Sequence, residues 1–321
     1  MNPSRHFRIL PSGHSPGRAL AAVLAAALTG QGGLPAHAEL IQLSLYDKPA
    51  QSELVVRGRV RRGDLRLADV AVEEVLKGNY DRSELSVVFR LDNFTRKLWE
   101  DKVVFRSDEP VLLFLKPFEK ESGGQPHAER FTLVRGTQGK VELPAEGAEA
   151  ILEAVRRFIR VQAQTDIAQT GQDLRAFLSA RNPLVVEAGL QQVHRLRLAE
   201  PRTVRALLPL TEHPVPDFRR GALRILAQVF EDQNRAGEVL AEEDHMVALV
   251  LSRAREDEDV EVRAEAVRTL EARGKRDVLA ALEKIAREDP TQQVRFQAEL
   301  AAYELTRSRP RADSSGPPPP R

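Results

Sequence analysis

A short pattern that recurs at a fixed step constrains this chain more than any other feature of its sequence. The pattern is an apolar residue followed by a charged one, with a small or apolar residue four positions after the first. Its copies are Val186-Glu187 with Leu190, Phe218-Arg219 with Ala222, Val262-Arg263 with Ala266, and Val294-Arg295 with Ala298. Copies one and two, and copies three and four, are each separated by 32 residues. Repetition at this scale predicts structural modules stacked on one another.

Each module is predicted to be a pair of helices. Val262, Ala266 and Leu270 lie four residues apart, which places them on one face of a helix. Gly274 can end that helix in the left-handed conformation, and a second helical pattern occupies residues 278–286. A single pair cannot bury both apolar faces, so neighbouring pairs must stack into a solenoid.

The full pattern of the third copy is Asp, apolar, x, Val-Arg, x, x, Ala, apolar, x, x, Leu, and it resembles HEAT repeats of the short bacterial type between about Gln172 and Leu305. In that family, the Asp that starts a helix and the Arg of each repeat form a ladder of ion pairs between neighbours. The resemblance therefore implies a structural ladder of Asp217, Arg219, Asp259, Arg263 and Arg295. An anion-binding stripe is the alternative role for these arginines, but every one has an acid within a repeat's reach.

Two positions depart from this family pattern. Glu187 stands where the first repeat would carry its ladder Arg, as terminal repeats are often atypical. The second and third copies are 44 residues apart instead of 32. We assign the extra residues, around 231–242, to a longer turn on one side of the stack.

The beginning of the chain reads as an export signal. An apolar run over residues 19–28 follows three arginines, and Ala36-His37-Ala38 offers a small-x-small cleavage site that predicts cleavage before Glu39. A membrane anchor is the alternative, but the run is shorter than the roughly 20 residues of a spanning helix. The chain contains no Cys, which excludes disulfides and the lipid-modified route of export. The sequence predicts the periplasm of a Gram-negative bacterium, with secretion as the alternative.

Residues 39–144 are predicted to form a small β domain. Strand patterns occur at 54–60, 65–76, 85–91, 111–115, 131–135 and 141–143, separated by turn residues. Their number and spacing predict a small barrel or sandwich. The order of the Val72–Gly78 segment, an alternating strand and the apolar run 111–115 is similar to an OB-like barrel, in particular to bacterial relatives of tissue-inhibitor-of-metalloprotease domains. Inhibition does not follow, because the eukaryotic inhibitors use an amino-terminal Cys.

The other segments are a bridging helix and linker at 145–171, the solenoid at 172–306 and a disordered Pro-rich tail at 307–321. The formal net charge of the chain is +1, and both ends carry the basic surplus. Three Arg without an acid lie in 1–38, and the tail adds four Arg and one Asp, so the body from Glu39 to Thr306 carries −5. A folded body of this charge is a poor nucleic-acid binder.

The sequence contains no motif that specifies a reaction. It lacks Gly-x-Ser-x-Gly, and its glycine pairs do not sit between a strand and a helix as phosphate-binding loops do. No two histidines after the leader are spaced to bind one metal, and the acidic run 256–261 lacks the glycine of a calcium loop. We therefore predict no catalytic, cofactor-binding or metal-binding residues.

The fold class expected from these patterns is multidomain, with a small all-β domain followed by an all-α HEAT-like solenoid. The expected function is a non-enzymatic interaction protein whose solenoid binds a protein partner in the cell envelope by its concave face. We expect no nucleic-acid partner and no stable membrane insertion after signal cleavage. One alternative is an accessory or inhibitor protein acting through the β domain. A second alternative is an enzyme with a site at the domain junction.

Overall fold

The computed structural model describes residues 43–64, 67–88, 104–118, 130–136, 138–198, 200–236 and 242–307. The predicted signal peptide and the tail from 308 lie outside these residues. Within them, a β barrel is followed by a stack of helices, as the sequence predicts. None of the described helices is both long and apolar enough to cross a membrane.

The β domain is a closed barrel. After a short helix α1 (Asp47–Gln51), its strands are β1 (Leu54–Gly63), β2 (Leu67–Lys77), β3 (Glu84–Val88), β4 (Pro110–Pro117), β5 (Arg130–Leu133) and β6 (Lys140–Glu142). The pairing order is β1-β2-β3-β5-β4, and β4 pairs back with β1, so five strands close the barrel. β3 and β5 are parallel, and the other pairs are antiparallel. The structure therefore selects the OB-like barrel over the sandwich.

Both faces of strand β4 are buried, which explains why its sequence is a continuous apolar run. Val111, Leu113 and Leu115 point into the barrel core. Leu112 and Phe114, on the opposite face, belong to the core of the helical part. Because successive side chains of a strand alternate between its faces, burial of both faces requires an apolar residue at every position. The barrel and the helices are therefore packed against each other.

Helix α2 (Ala148–Gln162) joins the two parts. Its apolar side chains Leu152, Val155 and Phe158 are fully buried. The ring of Phe158 lies 5.2 Å from that of Tyr46 beside α1 and 5.9 Å from that of Phe177 in the next helix. The predicted bridging helix is thus the element on which both parts pack.

The helical part is a two-layer stack of helix pairs. The helices are α3 (Ile167–Phe177), α4 (Pro183–Arg195), α5 (Pro201–Leu207), α6 (Pro216–Ala236), α7 (Glu243–Glu256), α8 (Val260–Arg273), α9 (Leu279–Glu288) and α10 (Gln292–Arg307). Helices α2, α4, α6, α8 and α10 form one layer, each in contact with the next. The pairs are α3 with α4, α5 with α6, α7 with α8, and α9 with α10.

Equivalent residues of the repeats occupy equivalent buried places. Val262 and Val294 are both fully buried, and so are Ala266 and Ala298. Because the same position is covered in successive repeats, the core continues from one repeat to the next.

The longer step between the second and third repeats has a different cause from the expected turn. Helix α6 continues to Ala236, so residues 231–236 are helical and not part of a turn. Residues 237–241 lie outside the described part of the chain. The prediction of a longer turn is wrong for the first half of the insertion, because helix α6, whose buried apolar residues end at Val229 and Phe230, continues to Ala236.

Candidate functional site

Two buried arginines connect successive repeats through ion pairs. Arg263 of α8 is almost completely buried, and its Nε lies 2.9 Å from Oδ2 of Asp289, which precedes α10 in the next repeat. Its Nη1 donates to the backbone oxygen of Asp257 at 2.8 Å. One guanidinium thus joins the turn before its own helix to the turn of the next repeat. Such charge-assisted hydrogen bonds are strong and directional.

Arg219 of α6 repeats this geometry one repeat earlier. Its Nη1 donates to the backbone oxygens of His213 and Pro214 at 2.9 and 3.1 Å. Its Nη2 lies 2.7 Å from Oδ1 of Asp257 in the next repeat. This hydrogen bond with Asp257 raises the pKa of the Arg219 guanidinium above its ordinary value. The arginine therefore stays charged although it is buried.

The acids of these pairs differ from the two that the family resemblance implied. Asp217 is exposed and pairs with Arg220 in its own helix at 2.7 Å. Asp259 accepts a hydrogen bond from the backbone nitrogen of Val262 and so caps α8. The pairing acids are Asp257 and Asp289, which the sequence prediction did not name as ladder residues. A signal was present, because each lies six residues before an arginine of the pattern.

The acidic run at 256–261 includes a buried carboxylate. Asp257 is buried between Arg219 and Arg253. Nη1 of Arg253 lies 3.6 Å from Oδ2 of Asp257. Among the described residues, no group of three or more His, Cys, Asp or Glu side chains is placed to hold a metal ion.

The arginine series begins and ends differently. In the first repeat, Glu187 occupies the position of the arginine; it is exposed and accepts a hydrogen bond from Gln191. In the last repeat, Arg295 donates Nη1 to the backbone oxygens of Asp289 and Pro290 at 2.7 and 3.1 Å, as its equivalents do. In the described part of the chain, however, no carboxylate lies within ion-pairing distance of Arg295.

Helix α10 exposes a line of large apolar side chains beside Arg295. Phe296, Leu300 and Tyr303 are 65%, 47% and 54% exposed, and their spacing places them on one face of the helix. We call Arg295, Phe296, Leu300 and Tyr303 the terminal face.

A comparison with the preceding repeat explains this exposure. One repeat earlier, Ala264 occupies the position of Phe296 and is fully buried. Helix α8 is covered by α10, whereas no described element covers α10 on that side. Phe296 therefore lies at a position that a further repeat would cover.

A second candidate is a cavity of about 330 Å³ at the junction of the two parts. Its lining residues are Leu43, Ser44, Leu45, Tyr46, Phe158, Leu184, Glu187, Ala188 and Gln191. Most of these are apolar, and the polar ones are engaged locally: Ser44 bonds Asp47, and Glu187 bonds Gln191. Burial raises the pKa of the Tyr46 phenol, so it stays protonated. The described residues do not bring an acid and a base together in this cavity.

The predicted signal cleavage residues Ala36, Ala38 and Glu39 lie outside the described residues, so that cleavage stays a prediction. The five implied ladder residues are all placed. Arg219 and Arg263 form ion pairs between repeats, Arg295 forms only the carbonyl bonds, and Asp217 and Asp259 act within their own helices.

The barrel, the helix stack with its buried arginines and the exposed terminal face together define a helical-repeat protein with a β domain at one end. Residues 231–302 match the family model for HEAT repeats. This segment lies in the C-terminal half of the chain, and HEAT repeats generally mediate protein–protein interaction. No curated protein and no solved structure matches the chain. The similarity of the barrel to tissue-inhibitor-of-metalloprotease domains stays a prediction.

Proposed function

We propose that this protein is an exported, non-enzymatic interaction protein whose HEAT repeats bind a protein partner in the cell envelope. The observation that carries the proposal is the terminal face, where three large apolar side chains are exposed on the last described helix. Terminal repeats of stable solenoids usually carry a polar outer face. An exposed apolar patch with polar neighbours instead marks a protein interaction site.

The expected use of the concave face is replaced here by a more specific site. The residue equivalent to Leu300 is Arg268 in α8 and Arg224 in α6. Both are solvated cations that pair with Glu265. Of these three described helices, only α10 has an apolar residue at that position. This change favours the end of the stack as the binding site.

The proposed location rests on the leader sequence, with its arginines, apolar run and Ala36-His37-Ala38 site. Expression of the full chain in a Gram-negative host, followed by cell fractionation and mass measurement, tests it. We expect the envelope fraction to contain a protein that begins at Glu39. A cytoplasmic protein with an intact leader would contradict export.

The binding function is tested with point variants of the mature protein, residues 39–321. Division of the chain into two halves is unsuitable, because Leu112 and Phe114 of the barrel are buried against the helical part. Affinity purification from envelope extracts, quantified by mass spectrometry, should recover a partner with the wild type and lose it with the Phe296→Ser/Tyr303→Ser variant.

The matched control is the Ile167→Ser/Val215→Ser variant, which removes two exposed apolar side chains elsewhere on the helical part. It should keep the partner. Recovery of the same partner by the terminal-face variant would refute the proposed site. If that partner were then lost on substitution of Arg61 and Arg62 at the exposed end of β1, the β domain would be the working surface.

A further inference from the structure

The repeat arginines make two kinds of contact, and Arg295 makes only the first of them in the described chain. Arg219 and Arg263 each bond the turn before their own helix and then a carboxylate from the following repeat. Arg295 makes the first set of bonds, at 2.7 and 3.1 Å, but has no following repeat in the described chain. Arg295 is only half-buried, and Nη1 makes both of these bonds.

The two carboxylates of the second kind of contact share a local structure. Asp257 stands three residues before the first residue of α8, and Asp289 stands three residues before the first residue of α10. Each also accepts a hydrogen bond from the backbone nitrogen two residues further on, at 3.0 and 2.8 Å. This local turn fixes the side-chain oxygen ahead of the helix.

We propose that the protein partner packs on the terminal face as a further helical layer, with an Asp or Glu three residues before its helix that pairs with Arg295. The inference rests on the proposed function and adds the chemistry of the partner. Charge complementarity supports it, because a carboxylate would give Arg295 the ion pair that its two equivalents already have.

The shape of the terminal face adds a second requirement. The position covered by the next layer is Ala264 in α8 but Phe296 in α10. Because a phenyl ring projects further than a methyl group, a helix packed over Phe296 must offer a recess of small side chains, such as Ala or Gly. The partner segment is therefore an acidic turn followed by a helix with small residues on its packing face.

A second copy of this chain fits the terminal face less well. The two acids of the required kind, Asp257 and Asp289, already pair with Arg219 and Arg263 inside the same chain. A second copy could supply either acid only by breaking one of its own buried ion pairs, which is strongly unfavourable. A separate acidic partner has no such conflict.

The test uses helical peptides selected from a displayed library against the immobilised mature protein, with the residues before the helix randomised. We expect the selected peptides to carry Asp or Glu three residues before the helix. Fluorescence anisotropy of one selected peptide should show affinity weakened about tenfold by Arg295→Gln. The control Arg287→Gln, an exposed arginine of α9 in the same repeat, should leave the affinity unchanged.

A double-mutant cycle makes the pairing specific. Replacement of the peptide acid by its amide should weaken binding to the wild type about tenfold and have little effect on binding to the Arg295→Gln variant. This peptide change keeps the test valid even if Arg295→Gln loosens the last helix. Selected peptides without the acid, additive effects in the cycle, or no selected peptide at all would overturn the inference.

Two further outcomes separate the inference from the proposed function. If the envelope partner depends on Phe296 and Tyr303 but binds the Arg295→Gln variant normally, the function stands and the acidic pairing is refuted. If the mature protein sediments as a dimer that Phe296→Ser dissociates, the occupant is a second copy and the inference is overturned.

Discussion

The barrel and the helical stack differ in whether they leave an element without a neighbour on one side. The barrel closes, because β1 pairs with both β2 and β4, and none of its five strands is left as an edge. The helix pairs of the stack follow one another in a line. Helix α2 and the barrel cover the first repeat, and α10 is the last described helix. Three of the seven large apolar side chains exposed in the described residues lie on α10. The exposed apolar surface of the described residues is thus concentrated on the last described helix.

The covered end and the open end should differ most in stability. Phe158→Ala removes the ring that packs between Tyr46 and Phe177, and it should lower the free energy of unfolding by about 4 kcal/mol through the cavity that it leaves. Phe296→Ala at the open end should change it by less than about 0.5 kcal/mol. Urea unfolding of the purified mature protein measures both. Equal losses would show that the terminal face is packed in solution.

The next largest contrast is between an internal and a terminal arginine. Arg263→Ala leaves Asp289 buried without its partner and should destabilise the protein by about 3 kcal/mol. Arg295→Ala removes only bonds to two backbone oxygens and should cost about 1 kcal/mol. Thermal unfolding distinguishes the two. If the two losses matched, Arg295 would have a buried acid partner of its own.

A buried carboxylate between α7 and the end of α8 gives the stack a dependence on pH. Burial alone would raise the pKa of Glu243, but hydrogen bonds from Lys275 and Arg273 outweigh it and lower the pKa below its ordinary value of 4.5. Stabilisation from a lowered pKa is present above the unfolded value and is lost as the pH falls through the folded value.

Glu243→Gln should therefore destabilise the protein by about 2 kcal/mol at pH 7, and the difference from the wild type should shrink below pH 4.5. Asp244→Asn, the adjacent exposed acid on the same helix, is the control and should change little. Chemical unfolding at a series of pH values measures this. A difference that persisted unchanged at acid pH would exclude the charged pairing as its cause.

The smallest contrast separates the two aspartates that the resemblance placed in the ladder. Asp259→Ala removes the cap of α8 and should cost about 1 kcal/mol. Asp217→Ala removes an exposed pair within one helix and should cost less than about 0.5 kcal/mol. Asp257→Ala sharpens the comparison. Its loss of stability should exceed both, because it leaves buried Arg219 without its acid partner. An Asp217 effect as large as that of Asp257 would contradict the observed pairing.

Local periodicity was enough to predict the main elements. Apolar residues four apart, as in Val262, Ala266 and Leu270, reflect the geometry of a single helix, and the alternating pattern of Val56 and Gly58 reflects a single strand. Repetition of the pattern then required stacking, since one helix pair has no other way to bury its apolar face. The helical solenoid followed from the sequence for this reason.

The candidate site was less accessible to such reasoning. The sequence marked Arg219, Arg263 and Arg295, but it could not separate Asp257 from Asp259, because both lie within reach of a long side chain. Only the stacked turns place one carboxylate beside the preceding arginine and the other on its own helix. Exposure of Phe296 was also hidden, because its helical position matches that of buried Ala264.

The sequence by itself determined that this protein has a β domain, repeated helix pairs and a series of arginines at one position of each later repeat. These properties depend on residues near one another along the chain. Tertiary structure alone decided that the five strands close into a barrel, that both faces of β4 are buried, and that the last arginine meets no acid in the described chain. Those outcomes depend on which surfaces come into contact across the fold, and contact between distant segments is fixed only when the whole chain packs.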